Sequence, residues 1–155
     1  MTENLVERQD LLIAQLRSGN YSQCEGRLRG NAGGFCCLGV ASDIYAKATG
    51  LAIWDMDSHG LQSFVKNEYA DQGFVEIADG DSTDTIRVRS GSVLIKDVEK
   101  WFGFKDETGR INGDPIKLEE QENLASSLLG LNDNGVSFSS IADIIELRRK
   151  DIFND

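Results

Sequence analysis

Leu5, Leu12, Ile13 and Leu16 fall on one face of a 3.6-residue period, with Val6 and Ala14 beside them and Glu7, Arg8 and Asp10 opposite. This spacing predicts an amphipathic helix over residues 3–18, stopped by Gly19-Asn20. A second stripe, Cys37, Val40/Ala41, Ile44/Tyr45 and Ala48, follows Gly33-Gly34 and closes at Gly50. Gly39, Ala41 and Ser42 give it small faces that let another element lie close, so this helix is expected to be central. Leu94, Ile95, Val98, Trp101 and Phe102 predict a short helix ended by Gly103. Near the C-terminus, Ser137 reads as an N-cap and Phe138, Ile141, Ala142, Ile145 and Ile152 as an apolar stripe. Arg148, Arg149 and Lys150 in the last turns complement the helix dipole. Two less regular patterns predict helices over residues 61–69 (Leu61, Phe64, Val65) and 118–129 (Leu124, Ser127 and Leu128 inward), with Leu131 to Gly135 a turn.

The remaining apolar positions alternate. Arg27-Leu28-Arg29 predicts a short strand with Leu28 inward, Gly30–Gly34 a turn, and Phe35-Cys36 a returning strand. Residues 74–78 and 85–89 alternate as a hairpin around the Asp-Gly-rich loop 79–84, and residues 105–118 read mostly as loop. No repeat is present. The sum is one α+β domain over residues 1–155, with about five helices packed on a small, mainly antiparallel sheet.

Composition changes this picture only at the surface. No window approaches the ~18 unbroken apolar residues of a spanning helix, and the polar N-terminus is not a signal peptide, so a cytoplasmic protein is expected. The net charge of −10 repels nucleic-acid backbone. It serves either solubility or imitation of nucleic acid in another protein's basic groove. Three cysteines, two of them adjacent, make a poor disulfide framework and fit a reducing compartment.

Candidate chemistry is sparse. Cys36 and Cys37 precede a helix, where a thiolate is favoured, but their neighbours are apolar and His59 is the only histidine available as a base. Cys24, Cys36, Cys37 and His59 lack zinc-site spacing. Asp55, Asp57 and His59 alternate and would share a face if extended, suiting either a divalent cation or a solvated turn. The loop from Asp79 echoes a calcium site but carries Ser90 where a bidentate Glu belongs, and Gly30–Gly34 lacks the Gly-Lys-Ser/Thr of a P-loop. No cofactor is expected. The two Arg-x-Arg triplets are more informative: Arg27 with Arg29, and Arg87 with Arg89, each share one strand face. If the strands adjoin, four guanidinium groups meet, with Gly33 and Gly34 amides as further donors and Tyr21 and Phe35 to stack on a base. Gln23 and Cys36, which flank these segments, complete the expected ligand site. The competing reading pairs these arginines with surface carboxylates.

Tyr21-Ser22-Gln23, the Cys36-Cys37-Leu38-Gly39-Val40 block and the run Leu131-Asn132-Asp133-Asn134-Gly135-Val136-Ser137-Phe138, with Ile141-Ala142, resemble a family of small uncharacterised proteins of bacteriophages and prophages. The resemblance covers both ends of the chain and implies an accessory protein in a bacterial host's cytoplasm. It brings no catalytic residues. The reading preferred is a non-enzymatic protein that sequesters a phosphate-bearing small molecule or nucleotide signal of host defence. The alternatives are an acidic inhibitor of a host defence protein, and a small hydrolase using Cys36 or an Asp55/Asp57/His59 metal site. Self-association stays open, and no direct contact with nucleic acid or membrane is expected.

Overall fold

The computed structural model describes residues 3–73, 76–78, 85–118 and 124–154. Within them the chain is an α+β fold of six helices and three small antiparallel sheets. The helices are α1 (Glu3–Arg17), α2 (Cys37–Thr49), α3 (Lys96–Phe102), α4 (Leu128–Asp133), α5 (Phe138–Leu147) and α6 (Arg149–Ile152). The strands are β1 (Ala52–Met56), β2 (Gln62–Lys66), β3 (Glu76–Ala78), β4 (Thr85–Arg87), β5 (Arg89–Ser90), β6 (Ile116–Lys117) and β7 (Leu124–Ala125). The main sheet runs β1-β2-β5, while β3-β4 and β6-β7 are separate ribbons.

Helix α2 is the most deeply buried of the longer helices. Each residue from Cys37 to Tyr45 is buried, so this helix presents no solvent face along more than half its length. Helices α1, α3 and α4 lie against it, and α1 in turn packs along α5. Both ends are capped as glycine and cap chemistry dictate. Cys36 Sγ accepts the Gly39 N–H at 3.4 Å, and Gly50 closes the helix in the left-handed region at φ 68°. Gly39 has a further role. The segment before the helix crosses so closely that a Cβ at Gly39 would lie 1.8 Å from the Leu28 carbonyl oxygen. That carbonyl also accepts the Cys36 N–H, which ties the crossing to the helix start.

Helices α1, α2, α3 and α5 form where the periodicity places them. Four other expectations change. Residues 61–69 are not a helix: β2 pairs with β1 from Gln62 to Met56 through Lys66 to Ala52, followed by a single 3-10 turn at Asn67–Tyr69. Phe64 and Val65 are both buried because β2 is the central strand and is covered on both faces, which mimics helical spacing in a short window. Residues 118–129 are not one helix either. Leu124 lies in β7 and is exposed, whereas Ser127 is the N-cap of α4, accepting the Gly130 N–H. Residues 119–123 fall outside the described residues, as do 74–75 and the expected hairpin loop 79–84.

The Arg27–Arg29 and Phe35–Cys36 strands reduce to isolated bridges, because the Gly30–Gly34 loop lets only Arg29 and Phe35 come opposite each other. The C-terminal helix is broken at Arg148, where ψ moves to 29°. Arg148 does not serve the helix dipole alone: its guanidinium holds the carbonyls of Asn112 and Asp114 and the Asp151 carboxylate.

The Leu28–Gly39 contact gives the first prediction. Gly39→Ala should destabilise the fold by about 3 kcal/mol or more, because the clash is with backbone and cannot relax by a rotamer change. Urea unfolding of the variant measures it, and a loss below about 1 kcal/mol would contradict so close a crossing.

Candidate functional site

Strand β1 divides two polar constellations. On its inner side Trp54 packs edge-on against Phe35 and Phe64, and Phe35 against Tyr21, with ring centroids 4.8–5.7 Å apart. Asp43, from the buried face of α2, joins this array to itself. It accepts the Tyr21 hydroxyl at 2.6 Å and the Trp54 indole N–H at 3.0 Å, and pairs with Lys47 one turn on at 2.9 Å. Burial alone would raise the Asp43 pKa, but these three donors outweigh it and hold the carboxyl below its ordinary value. Burial and the same carboxylate push Tyr21 up to about 12. Arg29 lies across this aromatic corner, its guanidinium carbon 5.0 Å from the Phe35 ring centre and 5.6 Å from that of Trp54. Such contacts contribute about 0.5–1 kcal/mol each at exposed sites.

On the outer side of β1 a cleft of about 460 Å³ opens over the β1-β2-β5 sheet. Its floor is Asp55, Ser63 and Arg89; its walls are the Asp57–His59 turn and residues 70–73 after the 3-10 turn. Arg89 is buried and fully committed on its two outer nitrogens. It donates to Ser63 Oγ at 2.7 Å, to the Ala70 carbonyl at 2.7 Å and to Asp55 at 3.1 Å, while its Nε has no partner among the described residues. Asp57 shapes the turn by accepting the Leu61 and His59 amides, which keeps its carboxyl below the ordinary range. Gly60 completes that turn at φ 75°.

A profile of the DUF8296 family, described as a domain of unknown function, matches residues 5–149. The chain belongs to that family. No curated protein and no solved structure matches it. None of the described helices is long and apolar enough to cross a membrane.

In this DUF8296 member the four expected arginines do not form one face. Arg27 donates to the Gln62 carbonyl, Arg87 lies between Glu76 and Glu107, and Arg89 is neutralised by Asp55. Only Arg29 keeps part of the company predicted for it, lying over Phe35. Phe35 is buried and Tyr21 packs edge-on against it, so the Phe35 ring offers no open face to a base. Gln23 is structural: its amide bridges Asn132, the Val136 carbonyl and the Phe138 N–H. Gly33 and Gly34 shape the loop before α2, where a Cβ at Gly34 would meet that of Cys24 at 3.0 Å. Cys36 is wholly buried at the helix cap, and burial pushes its thiol up to about 12, the reverse of a poised nucleophile. Asp55 and Asp57 are both engaged, and among the described residues no group of three or more His, Cys, Asp or Glu is placed to hold a metal ion. Asp55, Asp57 and His59 therefore do not come together as a metal site.

Asp43, Trp54, Ser63 and the cleft wall at residues 70–73 are not among the residues expected from the sequence. Asp43 had a signal: a lone acid on an otherwise apolar helix stripe, followed by Lys47 at i+4. Ser63 had none, because its role depends on a strand pairing that brings Arg89 across β2.

Two outcomes check these placements. In the folded protein a thiol reagent should modify Cys24 alone, with Cys36 and Cys37 reacting only in denaturant; a fast second thiol in the native state would contradict their burial. Asp43 has a lowered native pKa, so its contribution exists above the unfolded-state value and is lost as pH falls through the native one. Asp43→Asn should therefore cost about 1–3 kcal/mol at pH 7 and progressively less below about pH 4, read from urea unfolding at both pH values.

Proposed function

We propose that this protein acts by binding, as an accessory protein of a phage or prophage, and that its ligand is a small donor-rich molecule held in the cleft over the β1-β2-β5 sheet. An amine or a polyhydroxylated compound fits that description. The observation that carries the reading is the polarity of the cleft. Among the described lining residues Asp55, Asp57 and Asp71 stand against one cation, Arg89, so three negative charges and one positive leave a formal −2, counting His59 as uncharged. Arg89 already donates to Asp55, Ser63 and Ala70, and a phosphate entering here would meet carboxylates first. Ser58, His59 and Gln72 add neutral polar groups to the rim, the mix that orients a small ligand in a half-open site. The phage setting is supported by the resemblance carried by the Cys-Cys-Leu-Gly-Val block and the C-terminal motif.

A second reading, an acidic inhibitor of a host defence protein, is favoured by a separate observation. Met56 and Leu61 are exposed beside the Asp57 turn, and Ile53 is exposed on the same strand. Apolar residues among carboxylates, on a chain of net charge −10, suit a basic protein partner.

Thermal unfolding with spermidine, methyl glucoside and AMP as probes separates the readings. The cleft reading expects spermidine or methyl glucoside to raise the melting temperature by several degrees. An excess of about 100-fold over Kd adds about 2.7 kcal/mol, and each kcal/mol is worth about 2–4 °C at this size. The rise should vanish in Asp71→Asn and weaken in His59→Ala, both of which leave the Arg89 floor intact. Stabilisation by AMP alone, or an amine effect unchanged in Asp71→Asn, would overturn it.

A further inference from the structure

Arg29 lies on the other side of β1, over the Phe35 and Trp54 rings. Of the other arginines, seven have side-chain partners, and Arg110 is exposed with no aromatic ring against it among the described residues. Arg17, Arg87, Arg89, Arg148 and Arg149 pair with carboxylates, and Arg8 and Arg27 donate to the Trp101 and Gln62 carbonyls. Arg29 has no hydrogen-bond or ion-pair partner among the described residues, in a chain where 26 acidic residues face 16 basic ones. Its nitrogens are not among the buried unpartnered atoms, unlike the Nε atoms of Arg27 and Arg89, so its donors open to solvent.

The side chain is nevertheless positioned. Phe35 and Trp54 lie against its guanidinium, and Trp54 is itself fixed by the indole bond to Asp43. A guanidinium held by its face keeps its N–H edge free, and that edge is the part that matches an oxyanion with two parallel bonds. The carboxylate of the same corner is already engaged. Asp43 already accepts from Tyr21, Trp54 and Lys47, and it is buried. Lys47, which lies 5.6 Å from the Tyr21 ring centre and is mostly exposed, adds positive potential to the same corner.

We propose that the Arg29 edge, backed by Phe35 and Trp54, is a binding site for an oxyanion group, a phosphate monoester or a carboxylate, on a small ligand. The cleft on the outer side of β1 plays no part in it, so failure of either site leaves the other standing.

The test is ¹H–¹⁵N NMR of the Arg29 Nε–H and the Trp54 indole N–H, titrating phenyl phosphate and, separately, benzoate at fixed ionic strength, with chloride as the control. Saturable shifts of both signals with either probe are expected, and the probe that binds tighter identifies the source as phosphate or carboxylate. Arg29→Gln should weaken binding by about 10-fold or more, with the indole spectrum otherwise unchanged as proof of folding. Arg29→Lys, which keeps the charge and loses the fork, should also weaken it. Shifts no larger than those of chloride, or equal affinity in Arg29→Gln, would overturn the proposal.

Discussion

The crossing of the Leu28 carbonyl over Gly39 is the constraint on which the rest of the structure depends. It brings the Tyr21–Phe35 segment against the first turn of α2, where the Asn132 side chain also reaches in to accept the Cys37 N–H. Asn132 donates to the Cys24 carbonyl and accepts from Gln23, so one fully buried side chain joins the loop, the helix start and α4. Buried polar groups linked in this way stabilise only when every member is satisfied. At the α2 N-terminus the amides of Gln23 and Asn132 satisfy one another and the surrounding backbone within an otherwise apolar packing of Leu28, Phe35 and Leu38.

From that junction the two constellations follow by geometry. Strand β1 leaves α2 through Gly50 and alternates, so Trp54 turns inward to Asp43 and the aromatic corner while Asp55 turns outward to Arg89. A single strand thus gives one face to an aromatic, locally cationic corner and the other to an acceptor-rich cleft. On the outer side Asp55 meets Arg89 across the sheet, whereas on the inner side Asp43 is held by Lys47 of its own helix and Arg29 is left without a carboxylate among the described residues.

Burial also separates residues that look alike in sequence. Cys24, Cys36 and Cys37 are the same group chemically, yet two are packing residues at a helix cap and one reaches partial exposure. The Arg-x-Arg triplets divide similarly. Arg27 and Arg29 follow bridge geometry on an irregular segment, and Arg87 and Arg89 belong to different sheets, β4 and β5. Equal spacing in sequence therefore leads to four different environments.

What the sequence determined by itself was the set of elements with a long, regular period and clear end signals: α1, α2, α3 and α5, their glycine and serine caps, and the α+β class. These are local properties of spacing, φ and capping, and no partner is needed to specify them. Only the tertiary structure decided that residues 62–66 are a central strand, that α4 begins at Leu128, and that Arg29 remains open while Arg89 is closed over by Asp55. Each of those depends on which segment lies across the sheet or beside the loop. Contacts between residues distant in sequence are set by packing and pairing, and a one-dimensional period of apolar positions does not carry that information.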